Sequence, residues 1–260
     1  MRQMLQKLAR ARTELAQTKM VCFTSDIDWA SEFAIEKSIS FFRDANVPVT
    51  YFLTHPSAAI QRSLADGEIR AGLHPNFMPD SSQGASYDEV IDYCFQLLPG
   101  ARGFRSHRHY DVNDVLEKFR ARGIEYDSNV CTLLDELPPF LHRTGLVRFP
   151  IFIEDGGYLL NGGDLQFANV ADLFDTPGLK VINLHPMHLL LNTPYFKYTR
   201  EIKDRLSRSE WNNLGDEQIA KLAYQGRGIT SFIEEMVDFL QRKGFEFRYL
   251  EDVYDWILTL

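Results

Sequence analysis

Strand-like and helix-like stretches alternate along nearly all of this 260-residue chain, and that order constrains its fold more than any other feature. The run MVCFTS leads into ASEFAIEKSISFFRDA, where Phe33, Ile35, Ile39 and Phe42 recur near a 3.6-residue period. VPVTYFL reads as a strand by its β-branched and aromatic content. PSAAIQRSLAD reads as a helix closed by Gly67, and EIRAGLH as the next strand. SYDEVIDYCFQLL begins with Ser86 and carries Glu89 three residues on, a capping box. RGFRSH, IEYDS, LVRFPIFIE, LKVINLHP and FEFRYL read as later strands, with DVNDVLEKFRARG, TSFIEEMVDFLQRKG and a last stretch from Glu251 as helices. Repeated strand-then-helix order predicts parallel strands joined by crossover helices. No linker or composition break divides the chain, so one domain over residues 1–260 is expected. Residues 1–19 read as an N-terminal helix and 192–226 as an insertion of the kind that lines a substrate cleft.

The polar residues fall in a pattern. Asp26 and Asp28 follow the first strand, His74 follows EIRAGL, Arg105 and His107 end RGFRSH, Asp127 ends IEY, and His185 ends KVINL. In a barrel of parallel strands those C-terminal ends open on one face, where such enzymes place their chemistry. Taken singly, each residue has a plainer reading. Asp28 would cap the next helix, Asp127-Ser128 would make a turn, Arg105 would sit in an ion pair, and the histidines would be core or loop residues. Together they suggest chemistry. Asp, His and His form a ligand set for a catalytic Zn²⁺ with an open position. A second carboxylate can accept a proton from water, and a histidine opposite can protonate a leaving group. His55, His142 and His188 are weaker candidates. No P-loop, Gly-x-Gly-x-x-Gly turn or Gly-x-Ser-x-Gly elbow occurs.

Composition excludes other classes. With 45% apolar and 25% charged residues the chain can fill a core. A net charge of -8 argues against unspecific nucleic-acid binding. Cys22, Cys94 and Cys131 are too few and too spread for a disulfide frame, and they suit a reducing, cytoplasmic setting. The N-terminal stretch has no apolar core of a secretion signal, and no run of about 18 apolar residues exists to span a membrane. Leu5, Leu8 and Leu15 among Arg and Lys predict a packed amphipathic helix, with peripheral membrane contact as the alternative. Nothing in the residues fixes an oligomeric state.

The strand ends also carry a resemblance. FTSDID, GEIRAGLHP, GFRSH, IEYDS and VINLHP resemble, in order, the five motifs of the polysaccharide deacetylase family, carbohydrate esterase family 4. LHP followed by a second histidine and LN is similar to the branch linked to bacterial surface-glycan biosynthesis. The resemblance implies an α/β fold, a distorted (β/α) barrel with fewer than eight complete strands. It implies Asp26 as general base, Asp28 and His74 as metal ligands, Arg105 orienting Asp26, His185 as general acid, and Asp127 supporting His185. The implied cofactor is a divalent metal, Zn²⁺, and the implied substrate an N-acetylated sugar or glycan precursor. Two features depart. The first motif has one residue, Ile27, inserted between its aspartates. Where the family supplies a second metal histidine, this chain has Met78, a poor ligand for a water-activating site. His107 is the expected replacement, because strand alternation would aim it to the same side as Arg105. The same residues would equally serve hydrolysis of a small cyclic imide or ureide, and a site without its metal would leave a glycan-binding relic.

Overall fold

The computed structural model describes residues 1–260. Ten strands form one sheet: β1 (Lys19–Asp26), β2 (Val49–Leu53), β3 (Arg70–Leu73), β4 (Gly103–Phe104), β5 (Tyr126–Asp127), β6 (Phe140–Leu141), β7 (Val147–Arg148), β8 (Ile151–Glu154), β9 (Gly178–Leu184) and β10 (Glu246–Phe247). Their order is β6-β7-β5-β4-β3-β2-β1-β9-β8, with β10 against the start of β1. Every pairing is parallel except β6 with β7. Only β1, β2, β3, β8 and β9 reach four residues, so the barrel is irregular and incomplete.

β7 and β8 are neighbours in the chain yet lie near opposite ends of the strand order. The stretch read as one strand, LVRFPIFIE, is therefore two, divided at Phe149-Pro150. Proline cannot donate to a sheet ladder, and the chain changes neighbours there. Residues 130–134 cross the remaining gap: Ile151 donates to the Val130 carbonyl (2.7 Å), and Thr132 to that of Ile151 (2.8 Å). The sheet thereby curls towards closure.

Strand alternation sorts the two faces. On β1, Val21 and Phe23 join an outer cluster with Phe42, Phe232 and Ile233, while Met20 and Cys22 face an inner cluster. That inner cluster includes Phe52, Tyr126, Phe149, Ile151 and Val181. Helix Arg2–Leu15 buries Leu8, Ala11 and Leu15 in it, beside Val253, Tyr254 and Ile257 of helix Leu250–Thr259, while Leu5 stays exposed. These terminal helices plug the N-terminal end of the barrel. The other end is polar: Thr24 and Asp26 continue the inward face of β1, and Asn183 that of β9. Burial of large aromatics on both faces provides the apolar area that offsets chain ordering. No helix is long and apolar enough to cross a membrane.

Ser31, not Asp28, caps helix Glu32–Asp44 by accepting from Ala34 N (3.2 Å), which leaves Asp28 free of capping. The expected box of Ser86 and Glu89 opens helix Tyr87–Leu97. Segment 192–226 forms three helices, Phe196–Lys203, Arg208–Asn212 and Asp216–Leu222.

Candidate active site

Asp26 ends β1 inside the barrel and is 3% exposed. Arg105 Nη1 donates to its Oδ1 (3.0 Å) and Asn183 Nδ2 to its Oδ2 (2.8 Å). Arg105 is wholly buried, just past β4. Its Nε donates to the Ser128 carbonyl (2.9 Å), Nη2 to Ser128 Oγ (2.8 Å), and Nη1 also to Thr24 Oγ1 (2.9 Å) and Asn183 Oδ1. The guanidinium lies over the Phe52 ring, 4.4 Å from its centroid. Burial works against ionising Asp26, but Arg105, with His74 and His185 behind it, holds the carboxyl below its usual range.

Two residues on, the chain leaves the strand with Asp28 and Trp29 both in the left-handed region (φ 38° and 54°). Non-glycine residues adopt it at a cost, so the turn is held by its surroundings. It aims Asp28 at two imidazoles. Its Oδ1 lies 3.0 Å from His107 Nδ1 and 3.1 Å from His74 Nε2. His74 is 1% exposed; its Nε2 meets Asp28 without good hydrogen-bond geometry, and its Nδ1 has only Asp26 Oδ1 at 3.7 Å. A buried imidazole so poorly satisfied is costly unless something outside the chain completes it. Ligand atoms of Asp28, His74 and His107 lie within 4.8 Å of one another. The donor set, one carboxylate and two imidazoles, suits a divalent transition metal. Burial opposes ionisation of Asp28 too, but His107, then His74 and His185, hold it well below the usual carboxylate range.

His107 reaches this cluster by a route other than strand alternation. β4 stops at Phe104, and His107 opens a 3₁₀ turn (His107–His109) in which Arg108 and His109 have φ of 56° and 53°. Met78 donates its backbone N–H to Asn76 Oδ1 in a turn.

His185 follows β9 as N-cap of helix Pro186–Leu190. Its Nε2 faces Asp28 Oδ2 (3.7 Å) and Asp26 Oδ2 (4.0 Å). Its Nδ1 bonds Asp155 Oδ1 (2.6 Å), and its backbone N–H donates to Asp155 Oδ2 (2.7 Å). Burial disfavours charging this imidazole, but Asp155, then Asp28 and Asp26, raise its pKa well above the ordinary histidine value.

The carboxylate behind His185 is thus Asp155, and the structure does not bring Asp127 there. The reason is the alternation of β5. Tyr126 and Ser128 face the barrel interior, which turns Asp127 to the other face. There Arg148 donates to Asp127 Oδ1 (2.8 Å) and Oδ2 (3.0 Å), and to both oxygens of Asp111 (2.7 and 2.9 Å). Burial pushes the Asp127 carboxyl up to about 6, against a cation that Asp111 also draws on. Asp155 had a visible signal: it directly follows the strand IFIE, the same strand-end position that singled out the others. Asn183, a polar residue inside an apolar strand, had one too.

His188 packs edge-on against His185 (5.5 Å between centroids) and bonds Thr193 Oγ1 through Nδ1 (3.1 Å). His55 bonds Thr54 and His142 bonds Thr144, and neither joins a cluster. Asp28, His107 and His185 open into a cavity of about 770 Å³ whose wall includes Trp29, Asn76, Phe196, Lys203 and Trp211.

A family model described as "WbmS-like: Polysaccharide deacetylase" matches residues 23–202, well over half of the chain. The chain belongs to the WbmS-like polysaccharide deacetylase family. Among solved structures, it is similar to WbmS from Bordetella bronchiseptica, described as a polysaccharide deacetylase involved in O-antigen biosynthesis. The identity is 25% and the TM-score 0.73, over 84% of this chain and 89% of that one. A carbohydrate esterase family 4 enzyme from Streptococcus mutans matches at 11% identity and TM-score 0.49, over 93% of this chain and 90% of the other. No curated protein matches. The curled α/β sheet is that of the WbmS-like deacetylases.

Proposed function

We propose that this WbmS-like deacetylase hydrolyses the N-acetyl group of a sugar in a surface-glycan precursor, with a divalent cation, Zn²⁺ by its donor set, held by Asp28, His74 and His107. The observation that carries the reading is the approach, to 4.0 Å, of a buried carboxyl held below its usual range by Arg105, Asp26, to a histidine whose charge is favoured, His185. Bound there, the cation would supply Lewis-acid polarisation of the amide carbonyl. Asp26, fixed by Arg105 and Asn183, accepts a proton from the attacking water. Attack forms a carbon–oxygen bond, and the carbonyl electron pair moves onto oxygen. As the carbonyl re-forms, the carbon–nitrogen bond breaks, and His185 Nε2 gives its proton to the departing amine. Acetate and a free amino sugar result. Asp155 holds Nδ1 of His185, so that Nε2 is the nitrogen presented to the cavity. The description of the Bordetella relative supports a surface-glycan precursor as substrate. Three unpaired cysteines, two of them buried, suit a reducing compartment such as the cytoplasm.

The test is acetate release from a panel of N-acetyl sugars. Turnover that stops with a chelator and returns with Zn²⁺ is expected. A fully metal-loaded protein that releases no acetate from any member of the panel would overturn the reading.

A further inference from the structure

The cavity above the catalytic pair is lined by four cations, Arg108, Arg200, Lys203 and Arg208. This is unexpected in a chain of net charge -8, whose overall field repels anions. In helix Phe196–Lys203 the cavity-lining residues are Phe196, Thr199, Arg200 and Lys203, the i, i+3, i+4, i+7 stripe of one face. On a surface helix that stripe ordinarily packs apolar side chains. Here half of it is cationic, and the helix instead anchors itself through Ile202, which is 7% exposed. Arg200 is weakly tied to Asp204 (3.9 Å). Arg108, Lys203 and Arg208 have no carboxylate within 4.0 Å, and the one further acid on the outer wall is Asp80.

The cations are also positioned. Lys203 Nζ lies 5.4 Å from the centroid of the Trp211 ring, itself 3% exposed. Arg208 is the first residue of helix Arg208–Asn212, whose start is fixed by the capping box of Ser207 and Glu210, and its side chain is exposed to the cavity mouth. Unpaired cations gathered round a concavity repel one another until an anion joins them. Guanidinium forks favour phosphate oxygens, which they can grip in pairs. A volume of about 770 Å³ has room for one sugar with a diphosphate group.

We infer that Arg108, Lys203 and Arg208 form a docking site for the phosphate or diphosphate of the substrate, so that the protein acts on a phosphate-linked N-acetyl sugar and not on a neutral glycan chain. The inference rests on the deacetylase reading for its sugar and stands on the cation wall for its phosphate.

The experiment has two readouts. Calorimetry with UDP as probe, on chelator-treated full-length protein, measures the anion site without turnover. Binding is expected, and Lys203→Ala/Arg208→Ala should weaken it about tenfold or more. Arg2→Ala/Arg12→Ala changes the net charge equally on a helix remote from the cavity and should leave UDP binding as it was. Acetate release is then compared for UDP-N-acetylglucosamine, a short prenyl-diphosphate N-acetylglucosamine and chitotriose. Preference for either diphosphate sugar, reduced by the double variant, supports the inference. Which of the two is preferred tells a nucleotide from a lipid carrier. Loss of UDP binding in the double variant supports the site even if no sugar is deacetylated, a result that would count against the deacetylase reading alone. UDP binding that is absent or indifferent to the double variant, with chitotriose the best substrate, overturns the inference and leaves the deacetylase reading intact.

Discussion

Asp155 stands behind His185 where the sequence suggested Asp127, which pairs with Arg148 instead. Asp155 touches both Nδ1 and the backbone N–H of His185, so it fixes the ring and favours its charge. Asp155→Asn should therefore lower kcat/KM and move its alkaline limb to lower pH, because the main group that raises the His185 pKa is gone. Asp127→Asn should leave that limb where it is, which a pH–rate profile of the two variants will show. His185→Ala should cost about 10²–10⁴-fold in kcat, the usual worth of a general acid. At this scale the site was legible to the extent that strand ends announce themselves. Asp26, Asp28, His74, Arg105 and His185 all stand at strand ends and all meet in the barrel mouth. Asp127 also ends a strand, but one residue of register decides which face it occupies, and sequence position alone does not carry that parity. His107 reaches Asp28 from a turn past the end of β4 that the letters RSHRHY do not reveal.

Element boundaries were less legible than element order. β4 and β5 are two residues each, because their ladders give way to side-chain bonds: Ser106 N donates to Asn129 Oδ1 (2.7 Å), and Arg105 spans to Ser128. Pattern cannot distinguish such a stretch from a longer strand. β5 and β7 are joined across the outer face by the Asp127–Arg148 pair, with Arg148 only 3% exposed. Removing one member strands a buried charge. Arg148→Ala should cost about 3–5 kcal/mol, seen as a lower urea midpoint at unchanged slope. β2 and β3 depend on a glycine. A Cβ at Gly72 would lie 2.6 Å from the Phe52 ring, the ring on which the Arg105 guanidinium rests. Gly72→Ala should destabilise by about 1–3 kcal/mol and also lower kcat, since the displaced ring presses on the group that orients Asp26.

For the molecule as a whole, the acids of the barrel mouth set the acid limit. Asp26, Asp28 and Asp155 all have carboxyls held below the ordinary value in the folded state. Groups of this kind contribute stability that is present above their unfolded value, about 3.9, and lost as pH falls through the folded values. Unfolding free energy measured in urea should therefore fall steeply below about pH 4. The fold class was the most legible property of all, because alternating strands and helices leave few arrangements open. The crossing of the chain from β7 to β8 was not, since it depends on which distant strand each half finds. The same topology bears on synthesis. Strand β1 is paired along most of its length with β9, whose first residue, Gly178, lies 152 positions after Asp26 (178 − 26). During translation one edge of this apolar strand stays bare until the ribosome has delivered β9. A nascent chain arrested before Gly178 thus exposes a sticky template for other chains, and is a client for chaperones rather than a folding intermediate at rest.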